Sequence, residues 1–199
     1  MNLLQETTAS YQPIPPAAVL DANVLFSNYV RDTLLSIAEH EGFYPKWSAE
    51  IEREWTENLS RKFLNISLDR AKKTASVMNE FFPEALVENL RKLPPELALP
   101  DADDLHVLAC ALTANVKQIV TFNLKDFPES VVGDLGLRVI HPDAFLLFLH
   151  RLFPERVRAG VMGMLSRYEK PPLDLKDFGQ RMVKSGLPSF AKLVQSFDE

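Results

Sequence analysis

Short apolar runs alternate with longer segments of helical periodicity over residues 17–149, and this alternation constrains the fold more than any other feature. Each run has the length of a buried strand. The predicted strands are Ala17 to Leu20, Phe43 to Trp47, Val116 to Phe122 and Leu137 to Ile140. Because strands that alternate with helices pair in parallel and are covered on both faces, the sequence predicts a three-layer α/β/α fold with a central parallel sheet.

Helices are predicted between and after these strands. Ile51, Trp55 and Leu59 follow the N-cap candidate Ser48 at four-residue spacing. Pro83 and Pro142 stand where a proline suits the first position of a helix. The predicted helices cover residues 28–41, 48–63, 68–81, 83–93, 101–114 and 142–149.

The chain divides into three predicted parts. Its 199 residues suit one domain with an appendage. Residues 1–16 are polar and proline-rich, which predicts a flexible arm, and residues 17–150 hold the α/β domain. Residues 151–199 show helical periodicity without strands, so we expect a helical C-terminal extension that packs on the core or serves a partner.

Composition excludes several classes of protein. No apolar run reaches the length of roughly 18 residues that spans a bilayer, and the start lacks the features of a secretory signal. Cys110 is the only cysteine, which excludes an internal disulfide and predicts a buried, inert thiol. The net charge of −5 argues against a nucleic-acid coat protein but is compatible with a carboxylate-rich enzyme. We expect a cytoplasmic enzyme.

Polar side chains follow two of the predicted strands, where sites form in open α/β sheets. Asp21 and Asn23 follow the first strand, and Thr121, Asn123 and Asp126 stand at or after the end of the strand that begins at Val116. Asp21 could instead cap a helix, and Asn123 could be an ordinary turn residue. Their convergence on one edge of the sheet favours a functional site.

Two further acids belong to predicted helices. Asp104 stands before the first apolar position of helix 101–114, with Asp103 as an alternative that helical phase does not exclude. Glu54 lies in the helix after Ser48, although Glu52 falls more centrally on the apolar stripe. The alternative without a function is that Asp103 and Asp104 cap a helix, and that Glu54 lies on a solvent-exposed helix face.

Clustered carboxylates raise one another's pKa values unless a cation lies between them. Mg²⁺ and Mn²⁺ prefer such oxygen ligands, and either ion could activate a water molecule and orient a phosphodiester. The four histidines have no spacing that suits zinc, and each is expected to have a surface or core role. The sequence contains no nucleotide-binding glycine motif.

Four segments resemble the motifs of the PIN-domain family, over roughly residues 17–148. The first and fourth are fairly specific in combination, and the second is weak alone. The segments are Leu20-Asp21-Ala22-Asn23-Val24-Leu25-Phe26-Ser27, Ser48-Ala49-Glu50-Ile51-Glu52-Arg53-Glu54-Trp55, Pro100 to Ala111, and Val120-Thr121-Phe122-Asn123-Leu124-Lys125-Asp126-Phe127-Pro128.

This resemblance implies a Rossmann-like PIN fold and Mg²⁺- or Mn²⁺-dependent cleavage of single-stranded or structured RNA. It also implies a VapC-like toxin that a small antitoxin silences, with a C-terminal extension like that of one subgroup. Asp21, Glu54 and Asp104 would take the family's metal-binding and catalytic roles, with Asp126 as a fourth acid or an organiser of the last motif. Many relatives have Asp where this chain has Asn23 or Asn123, which leaves the number of metal ions open.

Other polar residues would support these acids. Asn23, Thr121 and Asn123 would orient carboxylates or water around the metal. Basic residues that flank the early motifs are candidates for RNA-backbone contacts, although ordinary surface charge is the favoured interpretation. These residues are Arg31, Lys46, Arg53 and Arg61.

Two other functions and one assembly are compatible with the sequence. A PIN-like scaffold would bind RNA or protein without cutting, but it has no need of clustered carboxylates. A haloacid-dehalogenase-like phosphatase also begins with Asp after a strand, yet its usual second Asp is Asn23 here. A homodimer through helices 68–93 is a further expectation, although core packing explains their apolar surface equally well.

Overall fold

The computed structural model describes residues 13–169 and 171–198, so residues 1–12 of the predicted arm lie outside the described part of the chain. Five parallel strands form one sheet, in the order β3-β2-β1-β4-β5. The strands are β1 (Ala17–Leu20), β2 (Tyr44–Ser48), β3 (Leu86–Val87), β4 (Gln118–Val120) and β5 (Arg138–Ile140).

Helices flank this sheet and form the C-terminal region, which confirms the predicted α/β fold with a central parallel sheet and a helical extension. None of the helices in the described ranges combines the length and apolar character required to cross a membrane. The helices are α1 (Ala22–Phe26), α2 (Asn28–Glu39), α3 (Ala49–Lys62), α4 (Leu68–Phe81), α5 (Leu105–Thr113), α6 (Glu129–Val132), α7 (Pro142–Leu152), α8 (Pro154–Ser166), α9 (Leu175–Lys184) and α10 (Pro188–Gln195).

Strand β1 lies at the centre of the sheet and sets the position of the site. Val19 pairs with Lys46 of β2 on one side and with Ile119 of β4 on the other. The side chains of Ala18, Val19 and Leu20 are fully buried, as expected for a parallel strand covered on both faces. The residues that follow β1, β2 and β4 therefore meet at one carboxyl edge of the sheet.

The predicted helix over 83–93 is wrong, because the middle of this segment is the edge strand β3. Leu86 and Val87 pair in parallel with Trp47 and Ser48, and the Trp47 amide donates to the Ala85 carbonyl oxygen at 3.0 Å. Pairing with an open strand edge thus outweighs the helix propensity of a short segment. Asn89 then adopts φ 53°, a left-handed conformation that ends the strand.

Two local details near the predicted site also differ from expectation. Asp21 is followed directly by the short helix α1, which the apolar pattern does not distinguish from a loop. The predicted helix 101–114 divides into a 3₁₀ turn over Ala102–Asp104 and helix α5, which begins at Leu105.

The C-terminal helices pack on the α/β domain and share its core. The α-carbon of Gly160 in α8 faces Ile37 of α2 so closely that an added Cβ would lie 2.7 Å from the Ile37 Cα. Asp143 of α7 accepts hydrogen bonds from the amides of Ser189 and Phe190 at 3.1 and 2.8 Å, at the start of α10. The helices of the extension therefore pack directly against the rest of the described chain.

Candidate active site

Asp21 is the buried centre of the site. It is 2% exposed, and it follows β1 as the N-cap of α1. Its Oδ1 accepts a hydrogen bond from the Ala22 amide, and its Oδ2 accepts from the Asn23 amide and the Thr121 hydroxyl, each at 2.6 Å. A carboxylate accepts about four hydrogen bonds, so Oδ1 retains a position for one further partner.

The side chains predicted to support Asp21 form one network with it. The Thr121 hydroxyl accepts hydrogen bonds from the Asn23 side-chain amide at 2.8 Å and from the backbone amide of Asn123 at 3.0 Å. The side-chain amide of Asn123 donates in turn to Asp126. This network joins the ends of β1 and β4 and fixes the orientation of the Asp21 carboxylate.

Burial raises the pKa of Asp21 above its ordinary value, and the hydrogen bonds from Thr121 and Ala22 oppose that rise. The hydrogen-bond donors therefore offset part of the cost of placing a charged group in the core. A positive charge nearby would offset more of it.

Asp104 reaches the same edge of the sheet from the 3₁₀ turn before α5. Burial, and after it the negative charges of Asp21, Asp101, Asp126 and Glu54, raise the pKa of Asp104 to about 7. Charges change each other's pKa values only over short distances, so these acids lie near Asp104. Asp103 is exposed, and its backbone amide donates to Asp101 at 2.9 Å.

Glu54, rather than Glu52, faces the cluster. Burial and the charge of Asp21 raise the pKa of Glu54, and its Oε2 lies 3.6 Å from Nε2 of His106. The pKa of Glu52 is raised by burial beside Asn79 and Trp47, on the opposite side of the helix from Glu54. The structure thus brings together Asp21, Glu54, Asp104 and Asp126.

His106 is a residue that the sequence reasoning missed. Its Nδ1 lies 2.5 Å from the Asp103 carbonyl oxygen, and its Nε2 is buried without a hydrogen-bond partner, facing Glu54. The available signal was its place two residues after Asp104, within the predicted helix 101–114. Cys110, by contrast, is buried as predicted, and burial raises its pKa to about 12.

The four candidate RNA-contact residues lie in different settings. Arg31 is only 8% exposed, donates to the Leu25 carbonyl oxygen at 2.9 Å and stacks on Trp55, which favours a structural role. Lys46 donates to the Glu84 carbonyl oxygen, and Arg53 pairs with Glu57 on the exposed face of α3. Arg61 lines an open cleft of about 490 Å³ together with Asn23 and Glu54.

The donor chemistry of this site fits a hard divalent cation. Within residues 13–169 and 171–198, no three acidic, histidine or cysteine side chains are close enough to enclose an ion. Mg²⁺ does not require such a cage, because it keeps several waters and binds through one or two carboxylates. Asp21 retains an acceptor position, and Asp104 and Glu54, whose pKa values are raised by burial and by the charge of Asp21, add two further carboxylates that meet that requirement.

Comparison with known proteins covers both parts of the chain. The PIN domain family matches residues 17–125, and the VapC50 C-terminal domain family matches residues 142–196. One similar protein, from Mycobacterium tuberculosis, bears the name "Putative ribonuclease VapC50"; it is 41% identical over 69 residues. That alignment covers 35% of this chain and 41% of the relative. No solved structure matches the chain.

The PIN domain match includes the ends of β1 and β4 and the turn before α5, which carry Asp21, Thr121 and Asp104. The VapC50 C-terminal domain match begins at the first residue of α7 and includes α8, α9 and α10. The chain therefore belongs to the PIN-domain family and carries, after that domain, the C-terminal helices of the VapC50 type.

Proposed function

We propose that this protein is an endoribonuclease that requires Mg²⁺ or Mn²⁺ and acts as the toxin of a toxin–antitoxin pair. The observation that carries the proposal is the group of carboxylates around the buried Asp21 at one edge of the sheet, where neighbouring negative charges raise the pKa values of Asp104 and Glu54. Membership of the PIN-domain family and the ribonuclease name of the relative support the same activity.

Each residue has a distinct part in the proposed reaction. Asp21 and Asp104 would hold the cation, with Glu54 assisting, and the cation when bound would activate water and neutralise negative charge on the phosphodiester. Thr121 and Asn23 keep the Asp21 carboxylate in one orientation through their hydrogen bonds to Oδ2. Asn123 positions Asp126, whose charge contributes to the field at Asp104. Arg61 lies in the adjoining cleft, where it can contact an RNA phosphate.

The alternative functions explain less of the geometry. A scaffold without catalysis gains nothing from acids such as Asp104, whose ionisation in the folded state is opposed by burial and by neighbouring negative charges. A haloacid-dehalogenase-like phosphatase would need a proton donor at position 23. The Asn23 amide instead donates to Asp21 and Thr121, and its Oδ1 accepts from the Phe122 amide at 3.0 Å.

The substrate and partner follow from the same proposal. RNA with accessible single-stranded or looped phosphodiesters would be cut in the cytoplasm, and a small antitoxin encoded beside the gene would silence the enzyme. Growth arrest upon expression, relieved by the neighbouring gene product, tests the toxin role separately from the chemistry.

Cleavage of a fluorescently labelled RNA tests the activity itself. We expect cleavage by the wild type with Mn²⁺ or Mg²⁺, and its loss in EDTA. Asp21→Asn should lose it with either metal, because the amide removes a negative charge and an acceptor. Asp134→Asn, at an exposed position in the turn before β5, is the matched control and should cleave normally. Full activity of Asp21→Asn would refute the mechanism.

A further inference from the structure

A long groove adjoins the carboxylate site and is bounded in part by the C-terminal extension. It encloses about 770 Å³ between α1, the turn from α3 to α4, and the end of α9. We name it the basic groove. The residues that define it are Phe26, Lys62, Phe63, Arg70, Phe122 and Lys184.

The charge of this groove is opposite to that of the whole chain. The protein has 27 acidic and 22 basic residues. Among the described residues that line the groove, however, four are basic and none is acidic. Arg31 lies at its base, and the side chains of Lys62, Arg70 and Lys184 are exposed. A local positive surface on an acidic protein favours a polyanionic ligand.

Aromatic rings interleave with these cations. Phe26 and Phe63 stack with their centroids 6.0 Å apart and their planes within 24°. The Lys62 ammonium lies over both rings, 5.0 Å from the Phe26 centroid and 5.9 Å from that of Phe63. Phe63 is 40% exposed. Grooves that bind single-stranded nucleic acids have the same two features. Basic side chains lie along the phosphate backbone, and bases stack on aromatic rings.

The basic groove leads to the candidate active site. The cleft lined by Asn23 and Glu54 shares Phe26 and Lys62 with the groove, so the two form one continuous surface. Phe122 follows Thr121, the residue that holds Asp21. The turn at Gly186 packs on this ring, since a Cβ added there would lie 3.3 Å from the Phe122 Cε1. The extension therefore lies against a residue of the fourth motif.

We propose that single-stranded RNA lies in the basic groove on its way to the carboxylate site, with one base stacked on Phe63 and phosphates bound by Lys62, Arg70 and Lys184. The C-terminal extension then has a direct role: Lys184, at the end of α9, completes the substrate-binding surface. This inference rests on the proposed ribonuclease activity and adds to it the path of the substrate.

Binding of a fluorescein-labelled oligouridylate of about ten nucleotides, a length within the range that such grooves cover, tests the proposal. Fluorescence anisotropy is measured in the Asp21→Asn background, so that cleavage does not interfere. Phe63→Ala should weaken binding about tenfold, whereas Phe63→Tyr should retain it. Lys184→Ala should lower the slope of log affinity against log salt by about 0.7, the value for one phosphate contact in a single strand.

Lys192→Ala is the matched control, because Lys192 is an exposed lysine of the extension on α10, outside the groove. It should leave both the affinity and the salt slope unchanged. An oligoglutamate peptide serves as a second probe. If Phe63→Ala binds RNA normally and Lys184→Ala weakens the binding of both probes equally, the groove is a surface for acidic protein segments and the proposal is overturned.

Cleavage by the otherwise wild-type chain separates this inference from the proposed function. If the protein with intact carboxylates never cuts RNA, the proposed function fails. The other outcome is that the wild type cuts RNA, and that Phe63→Ala and Lys184→Ala bind and cut RNA as well as it does. In that case the proposed function stands and only the proposed path of the RNA through the groove fails. Retention of the thermal midpoint in each variant, measured by circular dichroism, excludes unfolding as the cause of weaker binding.

Discussion

Replacement of Asp104 by Asn should stabilise the metal-free protein. The pKa of Asp104 is raised from 3.8 to about 7 in the folded state, by burial and by neighbouring negative charges. A carboxyl group with a raised pKa is easier to ionise in the unfolded chain than in the folded one. Its ionisation therefore lowers the free energy of unfolding as the pH rises from about 4 to about 7. Above pH 7, the free energy of unfolding stays lower by the full amount.

The magnitude follows from the shift. A rise of about 3 pKa units corresponds to about 4 kcal/mol at 1.36 kcal/mol per unit. Asp104 is partly exposed, and solvent screens its interactions, so we expect a gain of about 1–2 kcal/mol for Asp104→Asn at pH 8. For a chain of this size, that corresponds to an increase in Tm of roughly 2–8 °C.

Thermal unfolding in EDTA, followed by circular dichroism at pH 5 and pH 8, measures this gain. The difference in Tm between variant and wild type should be larger at pH 8 than at pH 5. Added Mn²⁺ should raise the Tm of the wild type more than that of the variant, because binding to the folded state alone stabilises it. A variant less stable than the wild type at pH 8 in EDTA, or a difference independent of pH, would refute this reasoning.

Two further substitutions test the parts of the fold that support the site. Thr121→Ala should lower cleavage activity and reduce the free energy of unfolding by about 1–3 kcal/mol, because it removes the hydroxyl that donates to Asp21; Thr121→Ser should retain both in the same assays. Gly160→Ala should destabilise the protein by about 1–3 kcal/mol in urea unfolding, because its Cβ would meet the backbone of Ile37 at 2.7 Å. Gly163→Ala on the same helix meets only a side chain, at 3.3 Å, and an equal loss there would contradict the packing argument.

The centre of the site could be predicted because it depends on the order of strands. Asp21 and Thr121 each follow an apolar run, and the ends of neighbouring parallel strands meet at one edge of a sheet. The pairing of Leu20 with Val120 places the two residues side by side, and their side chains form a hydrogen bond across 100 residues of sequence. The sheet and the family motifs therefore predict this part together.

Other features depend on contacts that a periodic pattern does not contain. The apolar stripe of α3 favours Glu52, but that stripe faces the core near Trp47, whereas Glu54 projects to the sheet edge. Strand β3 has only two residues, and its pairing with β2 decides its conformation. Arg31 is charged yet buried, because its guanidinium donates a hydrogen bond to the Leu25 carbonyl oxygen and stacks on the Trp55 ring.

The direct test of the central claim is diffraction from a crystal of the protein grown with Mn²⁺, measured at a wavelength where manganese scatters anomalously. The account predicts an anomalous peak between the carboxylates of Asp21 and Asp104, and no such peak in crystals of Asp21→Asn. Well-ordered carboxylates with no peak between them at saturating Mn²⁺ would contradict it.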